Sequence, residues 1–136
     1  MKNKLFMALL LSVGVLSICG TVMAHHASAA YADKPMEFKK VTITKFSWIN
    51  PHSLIYFDAK DAKGSVVNWT CETAAPQALR LIGWTKESFA PGDVVTITLY
   101  PAKNGNPAGR LGKMVLADGT ILRDTVLGRD GESGNP

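Results

Sequence analysis

The chain has 136 residues, a formal charge of +4, two cysteines and three histidines. That length fits one domain with a modest core. Lys39-Lys40 is the densest basic pair beyond the first four residues, too thin a footprint for the phosphate neutralisation that nucleic-acid binding requires, so no nucleic-acid partner is expected.

Residues 1–24 read as a signal peptide. Lys2 and Lys4 precede an apolar run over 5–18 broken only by Ser and Gly, and Val22-Met23-Ala24 supplies the residues a signal peptidase reads. The run is short for a bilayer span and no later one is longer, so no transmembrane segment is expected after cleavage. The protein is expected to be periplasmic or secreted. Cleavage near Ala29 or Ala30 is the alternative, and bulky Ile18 argues against a lipoprotein signal ending at Cys19. Losing Lys2 and Lys4 takes the charge from +4 to +2, and losing Cys19 leaves Cys71 alone. A lone thiol in an oxidising compartment is expected to be buried and inert.

Residues 25–35 begin His25-His26 and continue in small and polar residues, which predicts a flexible N-terminal arm. The domain proper is predicted over 36–127. Its first strand runs to Trp48, with Val41 and Ile43 on one parity and Phe46 and Trp48 on the other. That slip predicts a β-bulge near Thr44-Lys45. A second strand starts at Leu54, with Ile55 and Phe57 inward and Tyr56 and Asp58 outward; a turn ending in Gly64 joins it to a third. In the third, Val67, Trp69 and Cys71 share one face.

The period then changes. Ala75-Pro76 opens a helix with Leu79 and Ile82 on one face and Gly83 after its end. Trp84 to Phe89 predicts a second helical turn with Thr85 as its N-cap. Pro91-Gly92 suits a type II turn before a fourth strand reaching Tyr100. A loop rich in Gly, Asn and Pro follows, then a closing hairpin about Asp118-Gly119, and 128–136 is predicted to be a disordered tail. Three strands, one helix, then two or three strands is the element order of a small OB-like Greek-key barrel, with a β-sandwich as the alternative. The predicted core is Val41, Ile43, Ile55, Phe57, Val67, Trp69, Leu79, Val95 and Ile97, the apolar parity of each element.

Five motifs occur in one order: His25-His26-Ala27-Ser28, Trp48-Ile49-Asn50-Pro51-His52, Trp69-Thr70-Cys71-Glu72, Arg80-Leu81-Ile82-Gly83-Trp84 and Pro91-Gly92-Asp93-Val94-Val95. Together they resemble a family of small exported bacterial proteins classed as a domain of unknown function. The resemblance implies export and one compact, mainly β domain, and it implies no activity. Cys71 departs from the family pattern, which speaks against a shared thiol chemistry.

The candidate chemistry centres on the Asn-Pro-His corner. If cleavage falls after Ala24, His25 offers its free amine and its ring nitrogen as one chelate, and His26 and His52 are further ligands. Nitrogen ligands of this kind suit Cu(II), so copper is the cofactor to test. The plain alternative makes His25-His26 a soluble spacer and His52 a turn residue packed on Trp48. Trp48, Asn50, Tyr56, Glu72 and Arg80 are the candidate contacts for a small ligand, with Glu72 and Arg80 also readable as a structural ion pair at the helix start. No catalytic residue is assigned, and no phosphate loop, nucleophile elbow or Cys-x-x-Cys knuckle is present. The sequence therefore reads as an exported binding or accessory module, its partner a metal ion, a small ligand or an envelope protein. The rival readings are a copper-dependent or hydrolytic enzyme using His25 or His52, and a structural component of an envelope complex.

Overall fold

The computed structural model describes residues 30–124. Its elements are β1 (Met36–Ser47), β2 (Leu54–Lys60), β3 (Val66–Glu72), α1 (Pro76–Leu81), β4 (Val94–Pro101), β5 (Ala108–Val115) and β6 (Ile121–Arg123). The signal peptide over 1–24 and the tail over 128–136 lie outside the described residues.

β1 is the central strand, antiparallel to β2 on one edge and β4 on the other. β2 pairs with β3 and β4 with β5, and a short parallel seam between β3 and β5 closes the ring. The result is a closed five-stranded, OB-like barrel with one helix between β3 and β4. β6 is an extra strand on β5.

A barrel this small needs its strands to bend, and β1 bends at two bulges. One falls between Ile43 and Lys45, where the alternation of apolar residues changes parity: Ile43 faces Phe57, and Phe46 faces Ile55. The other lies between Phe38 and Val41 on the β4 side, where Lys40 takes φ 53°. Turn chemistry fixes the register elsewhere. The Asp61 carboxylate accepts the N–H groups of Lys63 and Ser65 on either side of Gly64, and Asp118 accepts that of Thr120 around Gly119.

Seven of the nine predicted core residues are buried: Val41, Ile43, Ile55, Phe57, Leu79, Val95 and Ile97. Trp69 faces the predicted way but is only half-buried against the cluster, and Val67, near the strand start, is half-buried as well. Trp84, Phe89, Leu99, Leu111 and Met114 are the other large side chains of the core, and Ala59, Cys71, Ala74 and Leu122 complete it. Trp84 is 1% exposed and its Nε1 donates to the Arg123 carbonyl at 3.1 Å, so the ring plugs the barrel with its polar atom satisfied.

Two local expectations are corrected. Ile82 does not share the buried face of Leu79; it is the C-cap of α1 and 48% exposed, because a six-residue helix ends before its next turn reaches the barrel. Trp84 to Phe89 does not form a helical turn. Thr85 Oγ1 does accept the Glu87 N–H at 3.2 Å, as a cap would, but both flanking rings are drawn into the core and the segment stays a plain turn.

The unequal burial of the tryptophans gives a test. Trp84→Ala is expected to cost about 3–5 kcal/mol, the range for emptying a large buried aromatic site, and Trp69→Ala clearly less. Urea unfolding of both variants measures this. A larger loss for Trp69 would mean that its ring, and not that of Trp84, fills the barrel.

Candidate functional site

The corner between β1 and β2 carries a cis bond at Asn50-Pro51, followed by His52 and a fully buried Ser53. Ser53 is stitched to the far end of β3: its N–H donates to the Ala74 carbonyl at 3.1 Å, and its carbonyl accepts the Thr73 N–H at 3.0 Å. These bonds bring His52 beside Glu72, the last residue of β3. The His52 Nδ1 is in hydrogen-bonding contact with Glu72 Oε1. A carboxylate at Nδ1 holds the proton on that nitrogen, which leaves Nε2 as the lone-pair nitrogen of the neutral ring. The ring is about half exposed.

Glu72 has two further partners. Arg110 Nη1 donates to its Oε1 at 3.1 Å, and the Tyr31 hydroxyl donates to its Oε2 at 3.0 Å. Arg110 Nε donates to Asp124 Oδ2 at 2.6 Å, and Asp124 Oδ1 accepts the Ala74 N–H at 3.2 Å. The cluster thus draws on the segment before β1, the β1–β2 corner, β3, β5 and the residue after β6. With His52 neutral it carries two carboxylates against one guanidinium, a net charge of −1.

Tyr31 lies within the segment read as a flexible arm, yet it is fixed. It forms a β-bridge with Ala102, and the Ala32 N–H donates to the Pro101 carbonyl at 2.8 Å. Its phenol is pushed up to about 12, first by burial and then by the Glu72 carboxylate.

The other candidates divide. Arg80 does not pair with Glu72, which Arg110 occupies; its guanidinium sits 5.7 Å from the centre of the Trp48 ring. Trp48 is half-buried, edge-on to Phe46 at 5.5 Å, and its Nε1 is buried with no partner among the described residues. Asn50 is exposed at the corner itself. Tyr56 lies apart on the outer face of β2, opposite Thr70, with the Lys45 ammonium 5.4 Å from its ring. His25 and His26 lie outside the described residues. Among the described residues no three His, Cys, Asp or Glu side chains are grouped so as to hold a metal ion. Cys71 is fully buried and its thiol is pushed up by burial, then by Asp124, which disfavours the thiolate a nucleophile needs.

The sequence reading missed Tyr31, Arg110 and Asp124. Tyr31 was the lone aromatic in a run of small and polar residues, and that was its only signal. Arg110 and Asp124 gave none, because their pairing depends on which strand closes the barrel.

The model of a family described as "Family of unknown function (DUF6152)" matches residues 12–111. The chain belongs to this family. No curated protein and no solved structure matches it. The stretch matched to DUF6152 includes His25, His26, Tyr31, His52, Glu72 and Arg110, and ends before Asp124.

The Tyr31–Glu72 contact has a pH signature. Folding favours the neutral phenol, so its contribution is whole below the unfolded value of about 10 and is lost as pH rises through about 12. Tyr31→Phe should remove that loss. Denaturant stability of parent and variant, compared from pH 9 to 12, is the measurement. Parallel curves would mean that the phenol does not meet the carboxylate.

Proposed function

We propose that this chain is an exported binding module whose His52 corner holds a metal ion, Cu(II) in the first instance, together with the terminal amine and ring of His25 and with His26. One observation carries the reading: a single carboxylate, Glu72, accepts both from His52 Nδ1 and from the Tyr31 hydroxyl. The first contact is the arrangement that orients a metal-ligating histidine, with a carboxylate behind one ring nitrogen and the other nitrogen facing out. The second ties Tyr31, five residues after His26, to the same carboxylate.

Reach supports the reading. His26 precedes Tyr31 by five residues, and an extended chain advances at most about 3.3–3.6 Å per residue, so the linking chain reaches at most about 17 Å. The net negative charge of the cluster favours a cation. An imidazole, or an amine and an imidazole in one chelate, suits Cu(II) better than the oxygen-seeking cations. A proton competes for the same nitrogens, so binding weakens as pH falls.

The test is calorimetric titration of Cu(II) into protein beginning at His25, into its His52→Ala and Glu72→Gln variants, and into protein with one extra residue ahead of His25. Tight one-to-one binding to the parent is expected, weakened in all three. Loss of the orienting carboxylate is expected to cost about 10–100-fold, with circular dichroism showing that the barrel persists. If His52→Ala binds copper as the parent does, the barrel contributes nothing and the reading fails.

A further inference from the structure

The β1–β2 hairpin is open at the end away from His52. Its ladder stops at Thr42 opposite Asp58, and from Met36 to Val41 β1 is paired with β4 alone. The strands part there around a groove of about 590 Å³. That volume lies within the range of sites that take small organic ligands.

The groove has an apolar floor and a basic rim. Phe38 lies in it, its ring 4.7 Å from Trp69 and 5.3 Å from Phe57, and Val66 stands 62% exposed at its edge. Lys39, Lys40 and Lys60 line it against Glu37 and Asp58, a net charge of +1. Glu37 is taken by Lys39 at 3.4 Å, and Asp58 accepts from the Asn68 side chain. Lys40 and Lys60 are in no ion pair among the described residues.

Lys40 supplies the second, independent observation. Among the described residues it alone, glycine apart, has a positive φ, 53°, in a bulge where glycine would sit without strain. A bulge re-aims a side chain, and strain of this sort is kept where the side chain is used. Here the bulge falls at Lys40, which lines the groove from β1 while Lys60 lines it from the neighbouring β2.

We propose that this groove binds an organic monoanion, a carboxylate on a flat apolar body, with Lys40 and Lys60 holding the carboxylate and Phe38 carrying the body. The rival explanation is protection of a bare strand edge, for which proteins also use lysines and bulges. Edge protection accounts for the charge and the bulge, but it gives no reason for a half-buried Phe38 and an exposed Val66 in the gap.

The experiment titrates 2-naphthoate and the uncharged 2-naphthylmethanol into the full domain by calorimetry, with the Trp69 indole N–H resonance as the site reporter. Saturable naphthoate binding that shifts Trp69 is expected, with the alcohol at least about tenfold weaker, the size of one charge-assisted contact. Lys40→Gly should lower naphthoate affinity by a similar factor while raising the denaturation midpoint, because glycine relieves the backbone. Lys60→Gln should lower affinity without that gain. Equal binding of acid and alcohol, or undiminished binding by Lys40→Gly, overturns the proposal. So does a Lys40→Gly protein that self-associates while its parent binds no naphthoate, which is the result edge protection requires.

Discussion

Arg110 is 6% exposed on the outward parity of β5, and a guanidinium desolvated to that degree has to be paired. Its two acceptors, Glu72 and Asp124, come from β3 and from the residue after β6. Asp124 passes the constraint to the start of α1 through the Ala74 N–H, and Glu72 passes it to Tyr31 and His52. Five separate stretches of chain are thereby referred to one cation. Removing a single partner from such a buried set typically costs about 3–5 kcal/mol, mostly because the remaining charge is stranded.

The same residue governs closure. The β3–β5 seam consists of three residue pairs, Thr70 with Ala108, Cys71 with Gly109 and Glu72 with Arg110. The ion pair is therefore the last rung of the shortest ladder in the barrel. Gly109 shows how tight the neighbouring approach is. A Cβ there would lie 2.5 Å from Leu99 Cδ1 and 2.6 Å from the Tyr100 carbonyl oxygen, so β5 reaches β3 only because it presses on β4 without a side chain. A bare glycine and a buried arginine, adjacent in sequence, make one joint.

Local patterns in the sequence were readable wherever a residue's neighbours along the chain determine its environment. The parity slip at Thr44 gave the bulge, Asp61 to Gly64 and Asp118-Gly119 gave the turns, and Pro76 gave the helix start, because each is a short-range consequence of backbone chemistry. The element order then sufficed for the barrel. What stayed hidden was set at long range. Glu72 was suspected, but its partner was sought in Arg80, close in sequence, when the parallel seam delivers Arg110, 38 residues on. The strand parity put Trp69 in the core and left Trp84 out of it, the reverse of their burial. Tertiary packing separates them: Trp84 is buried against Phe89, and Trp69 is half-buried against Phe38. Composition was misleading for Tyr31, where small and polar neighbours suggested a free arm.

The His52 corner and the Lys40 bulge stand at opposite ends of the same hairpin, which raises the question of whether one site senses the other. Coupling between sites requires an element with two arrangements that both ligands bias. Between the two ends lie the rungs from Thr42–Asp58 to Ser47–Leu54, backed inside by Ile43, Ile55 and Phe57, each fully buried or nearly so. Its one irregularity, the bulge at Thr44, is required by the parity of the flanking apolar residues. Sliding this ladder by one residue would turn every core side chain of β2 to the solvent, so the hairpin has one register and no second state to share. A ligand bound at either end, as proposed above, would therefore act on the other only through the charge it carries.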